Sequence, residues 1–297
     1  MILVAGGTGR LGSLIVEDLI VAGDAVRVLT RSADAATRLR ALGAEAQVGD
    51  VRDPQAASRA VQGCHAVVSA VTGFAPERGS TPEDVDRDGN RNLIRAAASA
   101  GVERFVLLSV HGAAPDAPLP LFRMKSAAEE ALRASDLSWT IVRPTAFLET
   151  HLEVIGAPLA RNGSTMLFGS GTAPMNFVSV RDVAALVLRA LRDPALIGQA
   201  IELGGPDLTM NALSDALHAA DGSSTGAVRR IPLPALRLMA VLARPFSPFL
   251  ARAAQAAVVM NTVDSRFDAL PARAAVPGLP FTTLDEAVAG SHVRRPA

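Results

Sequence analysis

The sequence predicts an α/β protein built on a doubly wound parallel sheet, with a smaller C-terminal α/β lobe. Three observations predict it. Short apolar runs alternate with helical patterns through the first 150 residues. A glycine-rich turn joins the first run to the first helix. The 297 residues are 49% hydrophobic and 20% charged, enough to bury a sizeable core. Alternation at this spacing implies right-handed crossovers, with helices on both faces of the sheet.

Taken in order, Ile2–Ala5 reads as a buried strand and 13–22 as an apolar helix closed by Gly23. A strand follows over 25–30, a helix over 34–42 stopped by Gly43, and a short strand over 46–48. Asp53 and Pro54 supply the N-cap and first turn of a helix that ends at Gly63. The run 66–70 is a fourth strand, 82–100 a long helix, 104–109 a fifth strand, 121–134 a helix and 138–142 a sixth strand. Beyond Pro144 the pattern loosens. Strands over 176–180 and 200–203 flank a helix over 182–191, and helices follow near 211–220, 234–243 and 249–260. The expected organisation is a larger domain over 1–150 and a smaller substrate-side lobe over 151–297, interleaved with the first.

Composition narrows the function. With 29 basic and 29 acidic residues, the chain lacks the positive surplus that a general nucleic-acid binder needs. The lone cysteine, Cys64, excludes an intramolecular disulfide framework and a Cys-rich metal site. The histidines at 65, 111, 151, 218 and 292 show no metal-ligand spacing, so no metal is expected. No apolar run approaches the roughly 20 residues of a membrane span. Met1 leads straight into a strand rather than a secretory signal, and the expected address is the cytoplasm.

Ligands of such sheets bind beyond the carboxyl ends of the strands. At the first of these ends stands Gly6-Gly7-Thr8-Gly9-Arg10-Leu11-Gly12. A tight glycine turn that opens a helix lets backbone amides approach a pyrophosphate, with the positive end of the helix dipole behind them. Placed on the first strand–turn–helix of an alternating chain, it predicts a Rossmann-type dinucleotide site. The end of the second strand reads Thr30-Arg31-Ser32, without the acid that meets a free ribose 2′-hydroxyl. Arg31 instead suits a 2′-phosphate, and Arg10 adds a second charge, so NADP(H) is favoured over NAD(H). Asp50, next to Val51, can accept from the adenine amino group or serve as a helix-start signal; both readings stay open. Ser69, Ala70 and Val71, with Pro144 and Thr145, complete the strand ends assigned to the cofactor.

The chain resembles the NmrA-like branch of the atypical short-chain dehydrogenase/reductases, a branch related to isoflavone-reductase-like proteins and NAD(P)H:quinone reductases. The resemblance is carried by GGTGRLG (6–12), VLTRS (28–32), GDVRDP (49–54), DVDRDGNRNLIRAAASAGVERFVLLS (84–109), KSAAEEALRASDLSWTIVRPTAF (125–147), FVSVRDVA (177–184) and ELGGP (202–206). It implies the fold and the cofactor but not the substrate, since the branch holds reductases, dinucleotide sensors and assembly factors.

The superfamily's usual catalytic set is a serine after the fifth strand followed by Tyr-x-x-x-Lys. Ser109 and Lys125 match by position, but Leu121 stands where the tyrosine belongs, and the chain has no tyrosine. Lys125 is the one lysine among the 29 basic residues. A compact ammonium there can hold ribose hydroxyls and tune a nearby proton donor; the alternative is a solvated helix residue pairing with Glu129. His111 and His151 are candidate proton donors in place of the phenol, because histidine suits general-acid work; each has an ordinary surface or packing role as its alternative. His151, Arg143 and Phe147 lie on the segment expected to face the substrate. Met166, Phe168, Met175 and Phe177 could add apolar lining or belong to the core.

The resulting expectation is an NADPH-dependent oxidoreductase reducing a small apolar carbonyl, quinone or conjugated enone without the usual tyrosine. The alternative is a non-catalytic NADP(H)-binding sensor or assembly protein with an exposed apolar face over 233–260. The expected partner is a small molecule, with a homodimer left open.

Overall fold

The computed structural model describes residues 1–74, 81–222 and 226–291. In chain order the first elements are β1 (Ile2–Ala5), α1 (Arg10–Val21), β2 (Val26–Thr30), α2 (Ala33–Ala41), β3 (Glu45–Val48), α3 (Pro54–Val61) and β4 (Ala66–Ser69). A π-helical stretch, Glu83–Gly89, runs into α4 (Asn90–Ser99). Then come β5 (Arg104–Leu108), α5 (Pro120–Arg133), β6 (Trp139–Pro144), β7 (Ala146–Phe147), α6 (Leu148–Gly156), α7 (Leu159–Asn162), β8 (Ser164–Phe168) and β9 (Pro174–Val178). The chain closes with α8 (Val180–Arg192), β10 (Gln199–Leu203), β11 (Asp207–Thr209), α9 (Met210–Ala220), β12 (Ala227–Ile231), α10 (Leu233–Leu242), α11 (Pro248–Thr262), α12 (Ala269–Ala275) and α13 (Leu284–Ala289).

Two compact units form. The first joins Met1–Pro144 to Val183–Leu203. Its seven strands run parallel in the order β10-β6-β5-β4-β1-β2-β3. The order reverses between β1 and β4, so the sheet is doubly wound and its switch point lies at their carboxyl ends. Helix α1 packs through Leu11, Ile15, Val16 and Leu19; each such buried side chain stabilises by about 1.5–3 kcal/mol. Leu3, Leu29, Leu93, Phe105, Leu107, Leu132 and Ile141 share one core. The run 200–203, read above as part of the later lobe, is the seventh strand of this sheet and pairs with β6.

The second unit comprises Thr145–Asp182 and the chain from Gly204 onward. It carries a three-stranded sheet, β11-β9-β7, and a parallel pair, β12 with β8. Its core gathers Leu148, Leu152, Ile155, Leu167, Phe177, Leu213 and Leu217. Met175 and Phe177 are buried there, so these two candidates for apolar lining are core residues. The short strands and α6, α7, α12 and α13 carry no strong periodic signal in the sequence, which is why the pattern loosens after Pro144. No described helix is long and apolar enough to cross a membrane.

Candidate functional site

The glycine turn sits on the switch point. Gly6 has φ +86°, and a Cβ there would lie 2.6 Å from the Ala70 carbonyl oxygen. A Cβ at Gly7 would meet Val28 Cγ1 at 2.8 Å, and one at Gly12 would meet the Gly6 oxygen at 2.1 Å. Packing of α1 against the strand ends therefore demands three of the glycines. Gly9 differs. Its φ of −80° suits any residue, and a Cβ would stand 3.4 Å from the Gly6 oxygen, close to ordinary contact. Gly9 is the N-cap of α1, no side chain caps the helix, and no acid occupies its first turn. First-turn amides have no intrahelical acceptor. What a Cβ at Gly9 would obstruct is the approach of a phosphate to these amides, and the cradle fits a dinucleotide pyrophosphate. Thr8, Gly9 and Arg10 are exposed, while Leu11 and Gly12 are buried with the helix.

Arg31 is exposed where β2 turns into α2, and Ser32 caps that helix by accepting from the Ala35 amide. Asp50 accepts from the Arg52 amide at 2.9 Å and from the Arg52 guanidinium at 2.7 and 3.0 Å. Burial opposes ionisation of Asp50, but the Arg52 hydrogen bonds and the charges of Arg52 and Arg31 hold its carboxyl below the usual range. Asp53 is the cap of α3, so the helix-start role belongs to it and Asp50 shapes the turn before it. Val51 is buried, and its γ-carbon would be 2.7 Å from a Cβ at Gly89.

At the end of β4, Ser69 is buried and donates to Asn90 Oδ1 at 2.6 Å, so its hydroxyl is committed inside the unit. Asn90 in turn donates to the Asp86 carbonyl. The π-helical winding turns Asp86 inward, where it accepts from the Gly73 amide at 2.7 Å. Ala70 meets Gly6, and Val71 offers its carbonyl to Lys125.

Lys125 is buried, with Nζ 2.8 Å from the oxygens of Val71 and Leu108 and 3.0 Å from Asp86 Oδ1. Nζ donates to the two carbonyls and is ion-paired with Asp86, whose Oδ1 accepts no hydrogen bond among the described residues. Lys125 therefore ties together the ends of β4 and β5 and the π segment. It is not the solvated partner of Glu129.

Glu129 is 1% exposed and has other partners. Arg143 Nη2 and Nε reach its two oxygens at 2.6 and 2.9 Å, and Arg133 Nη2 lies 2.9 Å away. Ser109 Oγ donates to Glu129 Oε1 over a very short separation. The serine proton is committed, leaving lone pairs at the site rather than a donor. Arg143 also reaches Glu202 Oε1 at 3.3 Å, directly across the β6–β10 register. Its guanidinium is raised above its ordinary range by the bonds to Glu129. Arg143, read as a substrate contact, thus holds two carboxylates together. Glu202 Oε2 lies 2.6 Å from His111 Nδ1. The His111 bond, and then Arg143, hold the Glu202 carboxyl below its usual range against the effect of burial.

In the second unit, Thr145 donates to Asn176 at 3.0 Å. His151 Nδ1 meets the Phe147 carbonyl at 2.8 Å, and its ring stands edge-on to Phe177 at 5.1 Å. Burial pushes the His151 imidazole down, against the raising effect of its bond to the Phe147 carbonyl. Phe147 is half-buried beside it. Pro144 ends the first unit, where its carbonyl accepts from the His111 amide. A shallow depression of about 620 Å³ in the second unit, edged by Asp207, Arg266, Phe267 and Phe281, contains none of the residues singled out from the sequence. Among the described residues no group of His, Cys, Asp or Glu could hold a metal; His292 lies outside them.

Asp86 and Glu202 escaped the sequence reading, and Glu129 entered it only as a surface partner of Lys125. Glu202 had a signal: a lone acid within the otherwise apolar strand Ala200-Ile201-Glu202-Leu203. Asp86 and Asn90, four apart on an inward face, had another.

The doubly wound sheet and its glycine cradle define a Rossmann-type NAD(P)-binding protein. The family model described as NAD(P)H-binding matches residues 6–194. The chain is 33% identical over 223 residues to the NAD(P)H azoreductase of Xenophilus azovorans, covering 75% of this chain and 74% of that protein. It is 34% identical over 190 residues to the photosystem II assembly factor Ycf39 of Synechocystis sp., covering 64% of this chain and 58% of that protein. The structure of the NADPH-dependent quinone oxidoreductase QOR2 of Escherichia coli, complexed with NADPH, superposes with a TM-score of 0.77 at 25% identity, over 97% of this chain and 99% of that one. The chain belongs to the NAD(P)H-binding family, within the atypical short-chain dehydrogenase/reductases, whose members include NAD(P)H-dependent reductases and an assembly factor.

Proposed function

We propose that the protein is an NADPH-dependent reductase of small apolar quinones, conjugated enones or carbonyls, with His111 as the proton source. One observation carries this reading. A dinucleotide cradle after β1 and a carboxylate-held histidine after β5 lie on the same carboxyl edge of one sheet. Bound NADPH supplies a hydride; the chain's own residues must bind it, place the acceptor and deliver a proton. The amides of the α1 N-terminus take the pyrophosphate, and Arg31 takes the 2′-phosphate, which favours NADP(H) over NAD(H).

Of the two candidate histidines, His151 meets the Phe147 carbonyl through Nδ1 in the second unit, and proton delivery is assigned to His111 at the end of β5. Lys125 donates to the Val71 and Leu108 carbonyls and is ion-paired with Asp86, and Ser109 donates its proton to Glu129. The imidazole of His111 is 35% exposed and meets the Glu202 carboxylate through Nδ1. Quinones and enones suit a site without a phenol, because negative charge delocalises as the hydride adds and less acid assistance is needed.

The test is NADPH consumption with a panel of quinones, enones, azo dyes and simple aldehydes, beside calorimetry of NADPH binding. Turnover with quinones or enones above buffer is the expected result. Tight binding with no turnover on any acceptor would overturn it in favour of an assembly or sensor role. That second reading draws on the likeness to the assembly factor and on the exposed Leu238, Val241, Leu242 and Phe246 of α10 and its following turn.

A further inference from the structure

We infer that the helix pair α10 and α11 docks on an anionic phospholipid bilayer. Phe246 and the outward face of α10 enter the headgroup region, and Arg237 and Arg244 meet lipid phosphates. The surface lies within the second unit, and the inference does not depend on the reductase reading.

The face is inverted relative to an ordinary surface helix. In α10 the exposed positions are Pro234, Arg237, Leu238, Val241 and Leu242. Their spacing of i, i+3, i+4, i+7 and i+8 puts them on one side of the helix. A helix on a globular protein presents charged and polar residues to water there. Here one arginine shares that side with Leu238, Val241 and Leu242, each 59% exposed, while Leu236 points inward and is buried. The turn that follows carries Phe246, flanked by Pro245 and Pro248. Phe246 is 87% exposed, whereas Phe105 and Phe177 are fully buried. Leu250, in the first turn of α11, is exposed as well. A concentration of exposed apolar side chains on one helix pair marks an interaction surface.

Charge selects the occupant. Between Asp221 and Asp264 the sequence has five arginines, at 229, 230, 237, 244 and 252, and no acid, although acids and bases balance over the whole chain. Arg229, Arg230, Arg237 and Arg244 are exposed, and none of the four is ion-paired among the described residues. Arg244 Nε donates to the Ala240 carbonyl at 3.1 Å, which holds its guanidinium at the C-terminal end of α10. A guanidinium is a planar fork of N–H donors that matches phosphate geometry. Apolar side chains gain by entering the boundary between headgroups and acyl chains, and nearby arginines add attraction to anionic lipid. A second copy of the chain fits this face less well. A two-fold interface would bring the arginines of one copy toward those of the other, with no acid in the segment to pair them. The helices have 10 and 15 residues, too short to span a bilayer, so the pair lies on the membrane rather than across it.

The experiment sediments the full-length protein with vesicles of phosphatidylcholine alone, or of phosphatidylcholine with about 30% phosphatidylglycerol. Binding to the mixed vesicles should be at least about tenfold tighter, and raising the salt to about 0.5 M should remove most of that difference. Arg237→Gln combined with Arg244→Gln should weaken binding to the mixed vesicles about tenfold. Leu242→Ser combined with Phe246→Ser should weaken it by a similar factor. Both pairs should keep the NADPH affinity and unfolding midpoint of the parent, because these side chains are exposed and lie outside the glycine cradle. Phe246→Trp gives an independent reading against the single native Trp139. Its emission should move to the blue with mixed vesicles and be quenched by brominated acyl chains. Equal or absent binding to the two vesicle types, indifference to the serine pair, or an unshifted tryptophan signal would overturn the proposal. Self-association in sedimentation velocity that the serine pair abolishes, without vesicle binding, would also overturn it and assign the face to a second copy.

Discussion

At the scale of single residues, Lys125 shows how identity and role separate. Its position and its standing as the one lysine marked it, but burial, two carbonyl acceptors and the ion pair with Asp86 make it a tie between strand ends. Removing one partner of a buried pair leaves the other charge uncompensated. Lys125→Met should therefore cost about 3–5 kcal/mol in urea unfolding, and adding Asp86→Asn should recover part of that loss. If the ammonium mainly gripped ribose, the single variant would instead keep its stability and lose NADPH affinity. Ser109 and Arg143 were marked for the right place on the sheet, and their partners decide what they can do. Those partners, Glu129 and Glu202, are distant in sequence, so no local pattern announces the cluster.

Elements carry the next level. The strand–turn–helix β1–α1 was legible because glycine spacing and apolar periodicity are local signals. Its four spaced glycines are not equivalent, and only the packed structure separates them. Gly12→Ala forces a Cβ to 2.1 Å from a backbone oxygen and should destabilise the fold by about 1–3 kcal/mol. Gly9→Ala should leave unfolding within about 1 kcal/mol of the parent. It should nonetheless weaken NADPH binding about tenfold in calorimetry, because the methyl group stands at the anion-binding end of α1. The long helix expected over 82–100 is present in two windings. Its π-helical first part presents Asp86 and Asn90 to the strand ends, a change of register that residue propensity does not encode.

For the whole molecule, the cofactor should report on the fold. A ligand that binds only the native state at 100 times its dissociation constant stabilises by about 2.7 kcal/mol. NADPH at such a concentration should raise the midpoint of thermal unfolding by several degrees, and NADH at the same concentration by less. Arg31→Ala should bring the two shifts together; equal shifts in the parent protein would remove the case for the 2′-phosphate. At this scale the sequence misled on one strand. Residues 200–203 follow the later segments in the chain yet complete the first unit's sheet beside β6. A short apolar run does not state which partner it pairs with, since parallel pairing joins residues far apart in sequence. The sequence alone determined the doubly wound sheet, the dinucleotide cradle and the missing phenol, because all three are written in local spacing and composition. The tertiary structure alone decided which protons remain to be given, because hydrogen-bond partners are set by the long-range pairing that brings β10, β6, α5 and the end of β5 to one edge.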